Sequence, residues 1–179
     1  MTTDRPFTAA VFIATSLDGY IARADGDIGW LTSRGEQAGD TGYDAFAAGI
    51  DTLVMGRGSY EKVLTFGGWP YEGKRVAVLS TRLPEDADPR ITVHRDLDAL
   101  VKDLADRGAR RVYADGGQVV QAFLRAGLLD ELTITTVPVL LGGGLPLFGA
   151  LDRDIDLVHR STRVLGAGLV QSTYTVTHG

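Results

Sequence analysis

The sequence has no cysteine and, in 179 residues, only three lysines (Lys62, Lys74, Lys102), two methionines, two tryptophans and six prolines. Without cysteine there is no disulfide framework, thiolate nucleophile, zinc–thiolate site or iron–sulfur cluster, so any redox chemistry must come from a bound cofactor. A formal charge of −5 and an isoelectric point near 5.1 argue against the clustered cations that counterion release on nucleic acid requires. No apolar run approaches the roughly 18 residues of a membrane span. Met1-Thr2-Thr3-Asp4-Arg5-Pro6 is not a basic region followed by a long apolar stretch. A soluble, cytoplasmic protein without nucleic-acid or membrane partners is expected. Several chemical motifs are missing too: there is no Gly-x-x-x-x-Gly-Lys-Ser/Thr loop and no Gly-x-Ser-x-Gly elbow. His94, His159 and His178 lie far apart without paired ligand spacing, and no metal site is expected.

What is present is glycine, 23 residues of it, in a chain 44% hydrophobic and 23% charged, an ordinary globular balance. The length fits one domain over residues 1–179. Short apolar runs at Thr8–Ala14, Ile50–Met55, Val76–Leu79 and Arg111–Ala114 read as strands buried on both faces. Between the last two lies a helix capped by Asp96, with Leu97, Leu100, Val101 and Leu104 on one stripe and Gly108 as its stop. A second helix carries Val119, Val120, Phe123 and Leu124 and ends at Gly127. Beyond Asp130 the texture alternates, over Leu132–Val137, Ile155–Leu165 and Leu169–Val176, the last two joined by a Gly166-Ala167-Gly168 hairpin connection. The pattern predicts an α/β fold: a mostly parallel sheet covered by helices on both faces, with antiparallel strands at one edge. Residues 23–42, polar and Gly-rich, read as a long loop, and loops of that length are usually functional.

In such sheets ligands bind at the carboxyl ends of the strands, where glycine lets backbone approach and helix N-termini offer N–H groups to anions. Three turns qualify: Gly56-Arg57-Gly58-Ser59, Ser80-Thr81-Arg82 and Asp115-Gly116-Gly117-Gln118. The first is part of a dinucleotide fingerprint with Glu61 in place of the third glycine. Where that fingerprint asks for a ribose-binding acid, the sequence offers two hydroxyls and Arg82, which suit an extra phosphate and point to NADP over NAD. A side chain at Gly117 is expected to block the cofactor and leave the fold intact. Asp18, Asp40, Asp44 and Asp115 are the acid–base candidates near this edge.

Taken together, Ser16-Leu17-Asp18-Gly19-Tyr20-Ile21-Ala22, Asp51 through Glu61, Asp115-Gly116-Gly117 through Leu132, and Pro138 through Gly144 resemble the dihydrofolate-reductase-like family, which includes the reductase domain of the riboflavin-biosynthesis deaminase/reductase. The resemblance spans almost the whole chain. It implies a three-layer fold with NADPH across the strand ends and a homodimer. Gly56, Arg57 and Ser59 would hold cofactor phosphates. Ser80, Thr81 and Arg82 would take the 2′-phosphate, and Gly116, Gly117, Gln118 and Val119 would approach the pyrophosphate. Ala14 and Ile21 would line the nicotinamide. Tyr20, Trp30 and Asp44 fall on the substrate side, and residues 23–42 become a lid. Riboflavin-pathway reductases usually carry Lys and Glu where this sequence has Tyr20 and Asp115, and the chain has no zinc-deaminase motif. Dihydrofolate reductases place an acid before the Gly-Arg motif, for which Asp40 and Asp44 both stand as candidates. The expectation is an NADPH-dependent reductase acting on a small planar heterocycle, pteridine- or pyrimidine-like, with Asp18 and Asp115 as its catalytic polar groups. The alternative is a non-catalytic NADP-binding sensor module that keeps the cofactor cradle.

Overall fold

The computed structural model describes residues 5–179. Its main sheet contains β1 (Thr8–Ser16), β3 (Thr52–Gly56), β4 (Arg75–Leu79), β5 (Ile91–His94), β6 (Arg111–Asp115), β7 (Glu131–Val137), β9 (Leu157–Val164) and β10 (Val170–Val176). A second, two-stranded sheet pairs β2 (Tyr20–Ala22) with β8 (Leu145–Pro146). The main sheet has the order β5-β4-β3-β6-β1-β7-β10-β9. It is parallel from β5 to β7, and β10 runs antiparallel to both β7 and β9.

The period-2 alternation of the central strands divides the core between two faces. On one face Val54 of β3, Val11 of β1, and Val112 and Ala114 of β6 meet Leu100 and Leu104 of α4 (Leu97–Asp106) and Val119, Val120, Phe123 and Leu124 of α5 (Gly117–Arg125). On the other, Leu53 and Met55 of β3 and Tyr113 of β6 meet Phe46 of α2 (Tyr43–Ala48) and Tyr60 and Val63 of α3 (Arg57–Val63). Asp96 caps α4 by accepting from the Ala99 N–H at 2.8 Å, and Gly108 takes a left-handed φ of 70° at its end, both as the sequence indicates.

The structure departs from the sequence reading in four places. Residues 23–42 are not a bare loop: they contain α1 (Gly29–Gly35), and α2 follows directly. Trp30 and Ala38 bury themselves against Val137 and Leu169 in a small third core, so tertiary burial organises a stretch whose local apolar density is low. β5 was not anticipated, nor was the β2–β8 pair. Finally, the alternation of β9 does not translate into a half-buried strand. All eight residues are exposed, because β9 is the sheet edge and no helix layer extends past β10.

Candidate functional site

From β3 the chain moves outward to β4 and β5, then returns to insert β6 between β3 and β1, so the carboxyl ends of these strands lie side by side, where a sheet of this kind binds ligands in a cleft. The turn after β6 and the turn after β3 touch. Gly116 has a φ of 95°, which favours glycine, and a Cβ there would lie 2.6 Å from Ser59 Oγ, a side-chain end that can turn away. Gly116 is also the N-cap of α5 and offers no side-chain acceptor, which leaves the first N–H groups of that helix available to an anion. A Cβ at Gly58 would meet nothing within 4 Å, and Arg57 is exposed beside Glu61 at 3.7 Å. This donor set suits the phosphates of a dinucleotide.

Gly117 has a different reason to be glycine. A Cβ there would sit 2.3 Å from the Pro146 carbonyl oxygen, and Gln121 Nε2 donates to Leu147 O at 3.3 Å, so β8 and the residue after it are docked on the start of α5. A side chain at Gly117 therefore displaces residues 145–147 as well as blocking the turn, so its effect is not confined to the cofactor. Ile21 lies beside the same point, its Cδ1 3.6 Å from that Cβ position. Ala14 is half-buried and packs with Trp30 and Val137. Gln118 is exposed, whereas the Val119 side chain is in the core, so only its backbone faces the cleft side of the turn.

At the end of β4, Ser80 Oγ accepts from the Arg82 and Leu83 N–H groups at 3.2 and 3.1 Å. Arg95, which the sequence reading missed, fixes this turn by donating to the Ser80 and Leu83 carbonyls at 2.9 and 2.7 Å. Thr81 and Arg82 are exposed, and the neighbouring Glu85 pairs with Arg95 at 3.8 Å and not with Arg82.

Asp115 ends β6 on the same strand face as Tyr113. Burial pushes its carboxyl up to about 6 against a smaller opposing pull from the Gly116 N–H. Around it stands an aromatic wall: Phe12 lies 5.7 Å from Tyr43 and 5.0 Å from Phe46, and Phe46 lies 5.1 Å from Tyr113. The Tyr113 hydroxyl donates to Phe12 O at 2.6 Å. Burial first, and then the Asp115 charge, hold the Tyr43, Tyr71 and Tyr113 hydroxyls above the usual phenol range, so all three stay neutral. Tyr43 and Tyr71 were not singled out from the sequence; their neighbours along the chain say nothing about Asp115, which is reached only through the fold.

Asp18 has another task. Its carboxylate accepts from Ser16 Oγ at 2.6 Å and from the Leu141 and Gly142 N–H groups at 3.1 and 2.8 Å. The Ser16 hydroxyl is the main cause that holds it below the usual carboxylate range, so it stays ionised and pins the 141–142 turn to the end of β1. The carboxylate expected from the sequence as a catalytic polar group thus has both oxygens engaged by this turn. Of the substrate-side residues, Tyr20 is half-buried in β2 and Asp44 is exposed in the first turn of α2. Asp40 accepts from the Gly42 N–H at 2.8 Å, the bond of a turn residue. Trp30, only 5% exposed, is the buried residue of α1 and clusters with Ala38, Val137 and Leu169. Among the described residues there is no cluster of three or more metal-ligating side chains, and no helix is long and apolar enough to cross a membrane.

The mixed sheet, its two helical layers and the glycine turns at the strand ends define a dihydrofolate-reductase-like α/β protein. Residues 8–171 match the family model of the RibD C-terminal domain, and the chain belongs to that family of reductase-type domains. It is 36% identical to the uncharacterized protein YwjB of Bacillus subtilis, over 87% of this chain and 91% of that protein. A crystal structure from Shewanella sp. PV-4, provisionally named a riboflavin biosynthesis protein, superposes with a TM-score of 0.86 at 39% identity. That match covers 96% of this chain and 100% of the other. Dihydrofolate reductase from Enterococcus faecalis, complexed with NADP(H), shares the fold with a TM-score of 0.66 at 16% identity, covering 97% and 99% of the two chains.

Proposed function

We propose that the chain is an NADPH-dependent reductase that transfers hydride to a small planar heterocycle of pteridine or pyrimidine type, with Asp115 as its proton donor. The observation that carries this reading is Asp115 itself: a carboxyl raised to about 6 by burial, among neutral phenols, one residue before the glycine that opens α5. The bound dinucleotide supplies the hydride. The N–H groups at the start of α5 hold its pyrophosphate, with Arg57 and the Gly56–Ser59 turn beside them. Ser80, Thr81 and Arg82 receive the 2′-phosphate, and Ala14 and Ile21 line the nicotinamide. The NADP(H) complex of the Enterococcus faecalis neighbour, on the same fold, supports this choice of cofactor.

On the substrate side Tyr20, Tyr43, Asp44, Tyr71 and Asp115 present aromatic faces, hydroxyls and carboxyls. That lining suits an uncharged, flat substrate stacked on the Phe12–Tyr43–Phe46 wall. Asp115 donates its proton to the ring nitrogen or oxygen next to the carbon that accepts hydride, which balances the two-electron reduction. A second copy would add to the exposed β9 edge, which carries neither proline nor lysine.

The test is NADPH consumption with a panel of pterins, pyrimidines and quinone-like acceptors. The expected result is turnover with at least one planar heterocycle, lowered by about 10²–10⁴ in Asp115→Asn. Tight NADPH binding without turnover across the panel would instead identify a sensor that keeps the cradle and has lost the reaction.

A further inference from the structure

At the opposite end of the sheet from the cleft, a cavity of about 240 Å³ opens between the first residues of β3, β4 and β5 and the last turn of α4. Its floor is apolar, formed by Val76, Ala77, Ile91 and Leu104. Its rim carries Lys74, Arg75, Arg90 and Arg107, four of the eighteen basic side chains of an acidic protein, with Asp103 as the one acid in the lining. Lys74 has two of its three N–H donors on the Ala47 and Ile50 carbonyls, at 2.6 and 2.8 Å. The arginines keep more of theirs. Arg107 uses Nε for Asp103, and Arg90 uses Nε and one terminal nitrogen for Asp88 while stacking 4.3 Å over Trp69. Arg75 donates one terminal nitrogen to the Arg107 carbonyl. That bond satisfies a carbonyl at the end of α4 that would otherwise repel an anion. Several guanidinium N–H groups thus remain around an apolar floor, with no carboxylate for each.

We propose that this cavity is a second binding site, separate from the strand-end cleft, for a small organic anion: a phosphate monoester with an apolar body, its phosphate on Arg75 and Arg107 and its body on the floor. The volume lies just under the range of about 300–1,000 Å³ typical of drug-sized sites, which sets the size of the ligand. Guanidinium forks are the groups best matched to phosphate oxygens.

The probe is phenyl phosphate, titrated calorimetrically into the full chain with and without saturating NADPH, with phenol as the neutral control. The expected result is saturable binding that NADPH leaves unchanged, that phenol does not reproduce, and that weakens as salt rises. The pair Arg75→Gln and Arg107→Gln should weaken it at least tenfold. Thr92→Glu, which brings a negative charge to the cavity wall without touching either arginine, should weaken it independently. Amide shifts on titration should concentrate at Val76, Thr92 and Arg107. The proposal is overturned by absence of binding, by displacement with NADPH, by equal binding of phenol, or by unchanged affinity in both sets of variants.

Discussion

Asp115 ends one strand, Asp18 lies just beyond another, and both precede a glycine, yet the fold gives them opposite properties. The Asp18 carboxylate accepts three hydrogen bonds and stays ionised, while Asp115, half-buried at the end of β6, is desolvated with one backbone N–H to oppose it. A raised carboxyl binds its proton more tightly folded than unfolded, so its contribution to stability is complete below about pH 4 and lost as the pH rises through about 6. Asp115→Asn should therefore raise stability by about 1–3 kcal/mol at pH 8 and hardly at all at pH 4, while removing activity. Denaturant titrations at the two pH values check this; an equal shift at both would mean the carboxyl is not raised. Wild-type turnover should decline above about pH 6 as the donor loses its proton. Arg82 tests the cofactor side. Arg82→Ala should weaken NADPH by about 1.5–3 kcal/mol, the range of a charge-assisted contact, and leave NADH almost unchanged. Equal losses for both cofactors would remove Arg82 from the 2′-phosphate site. The positions of Arg82 and Asp115 were legible in the sequence because each lies within three residues of the end of an apolar run. Their environments were not, since desolvation depends on residues such as Tyr43 and Tyr71, 72 and 44 positions away.

Among the elements, the helices with a clear apolar stripe, α4 and α5, were readable from spacing, and their stops were readable from Gly108 and Gly127, both left-handed. α1 was not, because its seven residues present one buried side chain, Trp30, and no side-chain cap. What holds the segment is remote. Gly166 N–H donates to Ala38 O at 3.0 Å, and Gln171 Nε2 donates to Thr41 O at 3.0 Å. A Cβ at Gly166 would lie 1.8 Å from the Gln37 carbonyl oxygen. Gly166→Ala should thus lift residues 36–42 off the hairpin without disturbing the central strands, and hydrogen exchange should rise at Gly166 and across 36–42 while β3 and β6 stay protected. Unchanged exchange in 36–42 would show that the hairpin does not anchor this segment.

For the whole molecule, the exposed β9 edge is where the proposed homodimer is tested. Arg160→Pro, at the bulge where β9 skips register against β10, removes an N–H of the edge strand and should convert a dimer to a monomer in sedimentation experiments, with β1–β7 intact by circular dichroism. A wild-type chain that sediments as a monomer would sink the assignment. The sequence by itself determined the central strands, the helices α4 and α5, the parallel core and three turns at strand ends, two of them glycine-bearing, because these depend on period, caps and backbone freedom within a few residues. It also settled that no thiol chemistry is available. Only the tertiary structure decided which turns meet, through the contact of Gly116 with Ser59, and which carboxyl is held ionised and which is raised. The physical reason is that steric contact and desolvation act through space, between residues whose separation along the chain carries no sign of it.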